Sequence, residues 1–379
     1  LTPELKAQVE EFDRMAAELA KARESLANKV VEESPAQPED LPEKAPATGP
    51  ITRDEALTRL EQGRGLSGLD LTGLDFSGRK MHGVDFSGSI LEEVNFTGAD
   101  LTAANFTDSL LTKADFSQAT LTDAVFNRCT APEAVFKKAH LTGARLVGGD
   151  FSDADFSESI LAEAVVSESI FSRADLSGVK GRGLSALKTD FRGATLTRAN
   201  LDSSNLSGAD MSECELTLAQ LSGLKAKELI LNGAAGENVD FCFSNLAESR
   251  ADESTSFTRA RLNNVVLRNA QWAGARLPGA HLAGSLMENA DFSGADLSRA
   301  VLPLAVLKEA RLIGTKAENA DMSEVNLLFA SLRHANLSGS ILKDANLFGA
   351  DLFRANLAGT DLSKALIKRT EIGRAHVLK

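Results

Sequence analysis

The residues of this chain that could support catalysis or metal binding are few and widely separated. The chain has five histidines, at His82, His140, His281, His334 and His376. None has a partner at the spacing of metal ligands. The run from Gly63 to Gly68 matches the pattern G-x-G-x-x-G, but a dinucleotide-binding loop follows a strand and opens a helix, whereas these glycines follow a predicted helix. We therefore predict no enzymatic activity, no cofactor and no metal site.

A five-residue period organises the chain from Leu66 onward. Almost every fifth residue, which we call a centre, is leucine, phenylalanine or methionine, and the residue two places before it is small. This frame has 37 centres up to Leu246, and only Gly181 and Gly236 among them lack a side chain that could be buried. The frame then slips by one residue and continues from Phe257 with 25 further centres.

A period of five residues fits neither an α-helix nor a half-buried strand, so the chain must turn after every few residues. If each pentapeptide forms one side of a square, four of them close a coil of about 20 residues, and coils stack about 4.8 Å apart. The pentapeptides then give about 15 coils and a rod on the order of 70 to 75 Å long. The sequence therefore predicts an all-β solenoid rather than layers of helices.

Two residues of each five are predicted to point inward. The centre enters from one side of the square, and the small residue two places before it lies near a corner, where only a small side chain fits at interior density. Phenylalanines that recur once per coil should stack as columns. One column contains Phe76, Phe96, Phe116, Phe136 and Phe156, and the opposite column contains Phe86, Phe106 and Phe126.

The repeat reads A(D/N)LSG or A(D/N)FSG, as at residues 99–101 and 295–297. This consensus closely resembles the pentapeptide repeat family over residues 66–379. The resemblance implies a right-handed quadrilateral β-helix. It implies little about activity, because one fold can carry many functions.

The N-terminal part of the chain, 1–64, differs from the repeat, and we divide the whole chain into five segments. The apolar stripe of the first segment predicts an amphipathic helix that pairs with a copy of itself, docks on a partner or lies on the rod. Its candidate interface is Leu5, Val9, Phe12, Leu19, Leu26 and Val30. The segments are the amphipathic helix 1–30, a Pro-rich linker 31–50, a capping helix 51–64, and arrays 65–256 and 257–379.

Three further expectations concern the ends of the chain and the frame slip. The segment 251–256 should form a local bulge within one continuous rod. Because the chain opens on Leu1 rather than methionine, the native protein is expected to extend further upstream. An open last coil would be covered by another copy, another protein or further residues.

The three cysteines are predicted to be unpaired. Cys129 and Cys214 occupy the small inward position of their repeats, where a thiol packs like a slightly larger alanine. Cys242 falls at an outward position. Unpaired thiols and the lack of a secretory signal favour a cytoplasmic location, and the absence of a long apolar stretch argues against a membrane association.

Charge is distributed unevenly, and two classes of function are consistent with it. The net charge is −5 for residues 1–64, −12 for 65–256 and +5 for 257–379. The favoured class is a protein interaction scaffold without direct nucleic-acid binding, since a rod of mixed polarity can orient a protein partner. Self-association would use the N-terminal helix or the open C-terminal coil.

Two resemblances narrow these classes. Residues 51–78 resemble the opening of arrays that follow adaptor domains in bacterial type VI secretion clusters, which implies a secretion effector or spike protein as partner. The alternative class is a DNA-mimicking inhibitor or protection protein of a type II topoisomerase such as gyrase, a function known in this repeat family. The net charge of the acidic array is sparse for such mimicry, because DNA carries one charge per about 1.7 Å.

Overall fold

Parallel β-bridges connect each coil to the next at a fixed interval along the sequence. A computed structural model describes residues 49–371. In each coil, the residue before every centre bridges its counterpart in the next coil, from Asp70 with Ile90 to Asp351 with Glu371. Four such bridges occur per coil, one on each side. The described chain is therefore a β-helix solenoid.

Regular secondary structure is otherwise short. Helix α1 spans Arg53–Glu61. Strands β1, Ala235–Glu237, and β2, Ser256–Thr258, pair in parallel with Gly236 opposite Phe257. The predicted helix 1–30 and its six interface residues lie outside the described residues.

Helix α1 covers the first coil. Its N-terminus is closed by a capping box, because Thr52 Oγ1 accepts from the Glu55 amide at 3.3 Å and Glu55 Oε2 accepts from the Thr52 amide at 2.8 Å. Ala56 is fully buried against the core. The Ile51 amide donates to the Asp70 carbonyl at 3.1 Å. The helix segment thus satisfies an acceptor that a bare first coil would expose.

A tight turn joins each side of the coil to the next. The carbonyl of a centre accepts from the amide three residues later, as Leu71 does from Leu74 at 3.1 Å. The second residue after the centre has a positive φ, for example 69° at Gly73 and 56° at Glu93. A positive φ at this position alone is the pattern of a type II turn. At Glu93 the amide donates to the Thr112 carbonyl of the next coil at 2.9 Å, which offsets the conformational cost.

The frame slip is absorbed by one coil that is a single residue longer than its neighbours. Asp240 bridges Arg261 and Arg250 bridges Gln271, whereas the regular interval returns at the bridge from Ser256 to Arg276. The bridges therefore continue on both sides of the extra residue.

Asp252 organises the segment that holds the extra residue. Its Oδ1 accepts from the amides of Ser254 at 3.0 Å, Thr255 at 3.2 Å and Gly233 at 3.0 Å. Partial burial opposes ionisation, but hydrogen bonds from the Ser254 hydroxyl, the Gly233 amide, the Thr255 hydroxyl and the Ser254 amide outweigh it and lower the pKa of Asp252. The carboxylate therefore folds the longer segment back onto the preceding coil.

Phenylalanine rings fill the interior of the first coils. Within the first column the ring centroids of Phe96 and Phe116 are 5.0 Å apart with planes at 14°. In the opposite column Phe106 and Phe126 are 4.6 Å apart at 9°. Rings of the two columns meet edge to face, as Phe106 and Phe116 do at 87°. Both arrangements are favourable for aromatic quadrupoles.

The single tryptophan lies one coil after a small centre, next to the frame slip. Trp272 is fully buried and donates from Nε1 to Ser249 Oγ at 2.9 Å. Ala251 occupies the equivalent centre one coil earlier, because the neighbouring bridge joins Arg250 to Gln271. A small centre thus precedes the largest one, which keeps the interior volume nearly constant.

Replacing a ring within the columns should destabilise the solenoid strongly. Phe116→Ala removes stacked and edge-to-face contacts from a fully buried site, and we expect a loss of about 3 to 5 kcal/mol in urea unfolding followed by circular dichroism. Phe243→Ala is the control, since Phe243 is 68% exposed and its loss should change stability by about 0.5 kcal/mol or less. Equal effects of the two variants would contradict the stacked interior.

The two glycine centres should differ in their tolerance of alanine. A Cβ at Gly236 would lie 2.8 Å from the Leu216 carbonyl carbon and 2.9 Å from the Thr217 amide nitrogen, which are backbone atoms. A Cβ at Gly181 would meet mainly the flexible end of Leu201, at 2.7 Å. We expect Gly236→Ala to lower the melting temperature by several degrees more than Gly181→Ala, measured by differential scanning calorimetry. The reverse order would show that the coil at β1 is not tightly packed.

Candidate interaction surface

Residues 49–371 offer no converging set of reactive side chains. No group of three or more histidine, cysteine, aspartate or glutamate side chains there could hold a metal ion. A void of about 10 Å³ beside Gly181 is lined only by leucine, valine and phenylalanine, so it is too small and too apolar to bind a substrate. No helix in this part of the chain is long and apolar enough to span a bilayer. The interior of these coils is filled, so a partner can reach them only at their outer walls.

The three cysteines are buried and unpaired. Burial raises the pKa of the Cys129 and Cys214 thiols, which disfavours the reactive thiolate. Cys242 was expected to face outward, yet it is only 4% exposed. Its pKa is also raised, first by burial and then by a hydrogen bond with Asp240. Its short side chain lies against the wall instead of projecting into solvent.

The aromatic residues selected from the sequence all lie in the interior. Each is fully buried, so none can contact a partner directly: Phe76, Phe96, Phe116, Phe136, Phe156, Phe86, Phe106 and Phe126. A third column, which the sequence analysis missed, continues the stack through Phe151, Phe171 and Phe191. Its spacing of one coil was visible in the sequence. These rings hold the walls in place.

The aspartate or asparagine of the consensus has a specific structural role. Its side-chain oxygen accepts from the amide two residues later, as in Asp75 from Ser77 at 2.9 Å and Asn95 from Thr97 at 2.9 Å. The hydrogen bond from the Ser77 amide is the main reason that the pKa of Asp75 is lowered. Sequence reasoning assigned these residues only to a solvated wall. Their position immediately before each centre, with serine or threonine often immediately after it, could have indicated the bond.

We number the four walls by one of their centres: wall 1 by Phe76, wall 2 by Met81, wall 3 by Phe86 and wall 4 by Leu91. Each wall continues through the centres that the bridges connect. Its outward residues are the one before each centre and the two after it. In residues 65–256, wall 3 has five acidic and five basic outward residues.

Wall 4 carries most of the excess negative charge of the first array. It has four basic outward residues and eleven acidic ones, so its net charge is −7. The acidic set is Asp70, Glu92, Glu93, Glu133, Asp150, Asp153, Asp190, Asp210, Glu213, Asp252 and Glu253. The solenoid therefore presents chemically different walls at one level along its axis.

Ion pairs connect successive coils of the first array on wall 3 and on wall 4. Arg128 Nε lies 2.8 Å from Asp108 Oδ1, and Arg173 Nη2 lies 2.6 Å from Asp153 Oδ2, each pair joining equivalent turns of successive coils. Hydrogen bonding to the aspartate raises the pKa of Arg173 and lowers that of Asp153. Because all four side chains are at least 42% exposed, solvent screens both pairs and each stabilises the solenoid only weakly.

Bridged coils with a filled interior and polar walls define a repeat solenoid. The family model for pentapeptide repeats matches overlapping segments within 70–223 and 255–369, which is well over half of the chain. The chain belongs to the pentapeptide repeat family. No curated protein matches it at a significant level.

Several solved structures resemble the chain. A structure of QnrB1, a plasmid-mediated fluoroquinolone resistance protein, is 20% identical, covers 46% of this chain and 90% of its own, and has a TM-score of 0.33. HetL of the cyanobacterium Nostoc sp. strain PCC 7120, involved in regulating heterocyst differentiation, is 23% identical with coverages of 85% and 95% and a TM-score of 0.16. A pentapeptide repeat protein of the Arabidopsis thaliana thylakoid lumen is 35% identical with coverages of 30% and 69% and a TM-score of 0.18.

Acid should weaken the solenoid through its wall aspartates. The pKa values of Asp75, Asp100 and Asp361 lie below the ordinary 3.8 mainly because each accepts hydrogen bonds from the residue two places later. Their contribution to stability is therefore present above about pH 4 and is lost as the pH falls through the lowered native values.

Substitution by asparagine tests this origin of acid sensitivity. Asparagine makes the same bond without titrating, as Asn95 does. In melting curves recorded between pH 7 and pH 2.5, the triple variant Asp75→Asn, Asp100→Asn and Asp361→Asn should lose less stability at low pH than the unchanged chain. If the melting temperatures of the two proteins fell equally between pH 7 and pH 2.5, these carboxylates would not be the cause of the loss of stability in acid.

Proposed function

We propose that this protein is a non-enzymatic scaffold for protein–protein interactions. The observation that carries the proposal is the continuous series of inter-coil bridges, which holds four differently charged walls at fixed spacing. A rigid surface loses little conformational entropy when a partner binds. Membership of a repeat family is consistent with this role, since stacked repeats form extended binding surfaces.

The proposal also includes the handedness of the solenoid, its number of sides and its number of coils. A right-handed, four-sided solenoid of about 15 coils would be on the order of 70 to 75 Å long. Walls of that length could contact a large partner or hold two proteins apart. Loading of a type VI secretion effector is a narrower version of the proposal, and it rests only on the resemblance of residues 51–78.

Imitation of DNA at a topoisomerase is less well supported by the charges. The −12 of residues 65–256 is spread over roughly 45 to 50 Å, or one net charge per about 4 Å, against about 1.7 Å in DNA. The second array carries a net positive charge, which a duplex mimic would not have.

A photo-crosslinking scan in the native host tests the scaffold. A photoreactive amino acid is placed at one exposed turn residue on each wall of the full chain: Gly98 on wall 1, Asp123 on wall 2, Glu168 on wall 3 and Asp153 on wall 4. We expect crosslinks to defined proteins from one or two walls only. A supercoiling assay on purified gyrase runs in parallel and should show no inhibition. Absence of a crosslinked protein from every wall, or strong gyrase inhibition, would refute the proposal.

A further inference from the structure

An aromatic cluster lies on the outside of the last described coils. Residues 49–371 contain 18 phenylalanines, of which 14 are buried centres. The other four face outward, and three of them, Phe329, Phe348 and Phe353, lie in neighbouring coils near the C-terminal end. Phe329 is 54% exposed. Its ring meets Phe348 edge to face at 5.9 Å. Outward aromatics are thus concentrated at one place on the solenoid.

Arginine side chains cover this cluster. The guanidinium carbon of Arg333 lies 4.8 Å from the centroid of Phe353, and that of Arg354 lies 5.2 Å from the same centroid. Arg369 lies 5.7 Å from Phe348. All three cation–π contacts found in residues 49–371 belong to this cluster. A guanidinium stacked on a ring still presents its N–H edge to a carboxylate, which makes it a preorganised anion-binding group.

We call this surface the aromatic–arginine patch: Phe329, Phe348, Phe353, Arg333, Arg354 and Arg369. Three of its members are outward residues of wall 4 beside the centres Leu332 and Leu352. The other three lie in the turns that lead from wall 3 into wall 4. The patch therefore lies in the last described coils, along the edge of the wall that is acidic in the first array.

The fold does not require an aromatic residue in these turns. Phe329 has a φ of 55°, in the left-handed region where a side chain is disfavoured. The equivalent turn residue one coil later is Gly349, and the Phe329 ring lies over it. Many other non-glycine residues share this turn conformation, so Phe329 is set apart by a large exposed ring that packs against a second outward ring. Contact with a partner explains such a ring more readily than stability does.

We propose that the aromatic–arginine patch binds an acidic segment of a partner protein that also carries apolar side chains. This inference rests on the proposed scaffold function and assigns a surface to it. Arg333 already pairs with Asp351 at 3.1 Å. No ion pair within residues 49–371 involves Arg354 or Arg369, so their N–H groups can bind carboxylates while the rings bind apolar side chains.

Two other occupants fit the charges less well. Pairing wall 4 of two copies in opposite directions would bring their central acidic stretches, around Asp190 and Asp210, against each other. A nucleic acid carries a continuous row of phosphates that would extend past the patch onto the carboxylates of Asp351 and Glu371, whereas a short segment can place its carboxylates on Arg354 and Arg369 alone. Charge therefore favours an acidic protein segment.

The test uses the full chain and a fluorescent peptide of alternating glutamate and leucine. Fluorescence anisotropy should show saturable binding that weakens as sodium chloride is added. Arg354→Gln and Phe329→Ser should each weaken binding about tenfold or more, because each removes a central contact. The matched controls Arg299→Gln and Phe243→Ser should bind like the unchanged protein. Arg299 and Phe243 occupy the same turn position, at φ values of 59° and 61°, on other walls.

Several outcomes would overturn the patch. One is equal binding of the peptide by all four variants, and another is equally tight binding of a peptide with glutamine in place of glutamate. The others are binding of oligothymidylate alone that depends on the patch, and self-association in light scattering that depends on the patch. Crosslinks to defined proteins combined with no binding of the acidic peptide would exclude the patch but leave the scaffold intact. A lack of crosslinks on every wall would instead refute the proposed scaffold function.

Discussion

The backbone hydrogen bonds between coils are the constraint on which the rest of this molecule depends. Each side of a coil can bridge the next only if the same position returns after one complete turn, which fixes each coil at four pentapeptides along most of the described chain. Stacking of equivalent residues follows directly, because the bridges place each centre beside its counterpart. The ring columns, the intercoil ion pairs and the distinct walls are consequences of this register.

The one exception shows how strictly the register is kept. A single extra residue would move every later side chain to a wrong position if the coils continued to pair at the usual interval. Instead, the segment around Asp252 takes up the residue through three backbone hydrogen bonds to one carboxylate oxygen. Ala251 and Trp272, which are equivalent centres in successive coils, fill the interior next to this segment. The interior pattern resumes at once, so the cost of the insertion stays local.

The interior was predictable from the sequence, whereas much of the exterior was not. The Phe76 and Phe86 columns follow from the recurrence of phenylalanine once per coil, because burial restricts each centre to an apolar side chain. The burial of Cys242 did not follow, since an outward position can still be covered by its neighbours. Nor did the left-handed turns at residues such as Glu93, because many residue types occupy them where an intercoil hydrogen bond offsets the cost. Repeat patterns fix what is buried and leave the outward residues free.

That freedom is the reason to look for function in departures from the repeat. An outward position in a turn accepts glycine, asparagine or a charged residue, so such residues carry little information about a partner. Phe329 departs from this pattern because its exposed ring contacts a second outward ring. Stability alone would favour glycine there, as at Gly349. A solenoid whose interior is nearly uniform can gain specificity only through such outward residues, and their concentration beside wall 4 distinguishes one region of an otherwise repetitive surface.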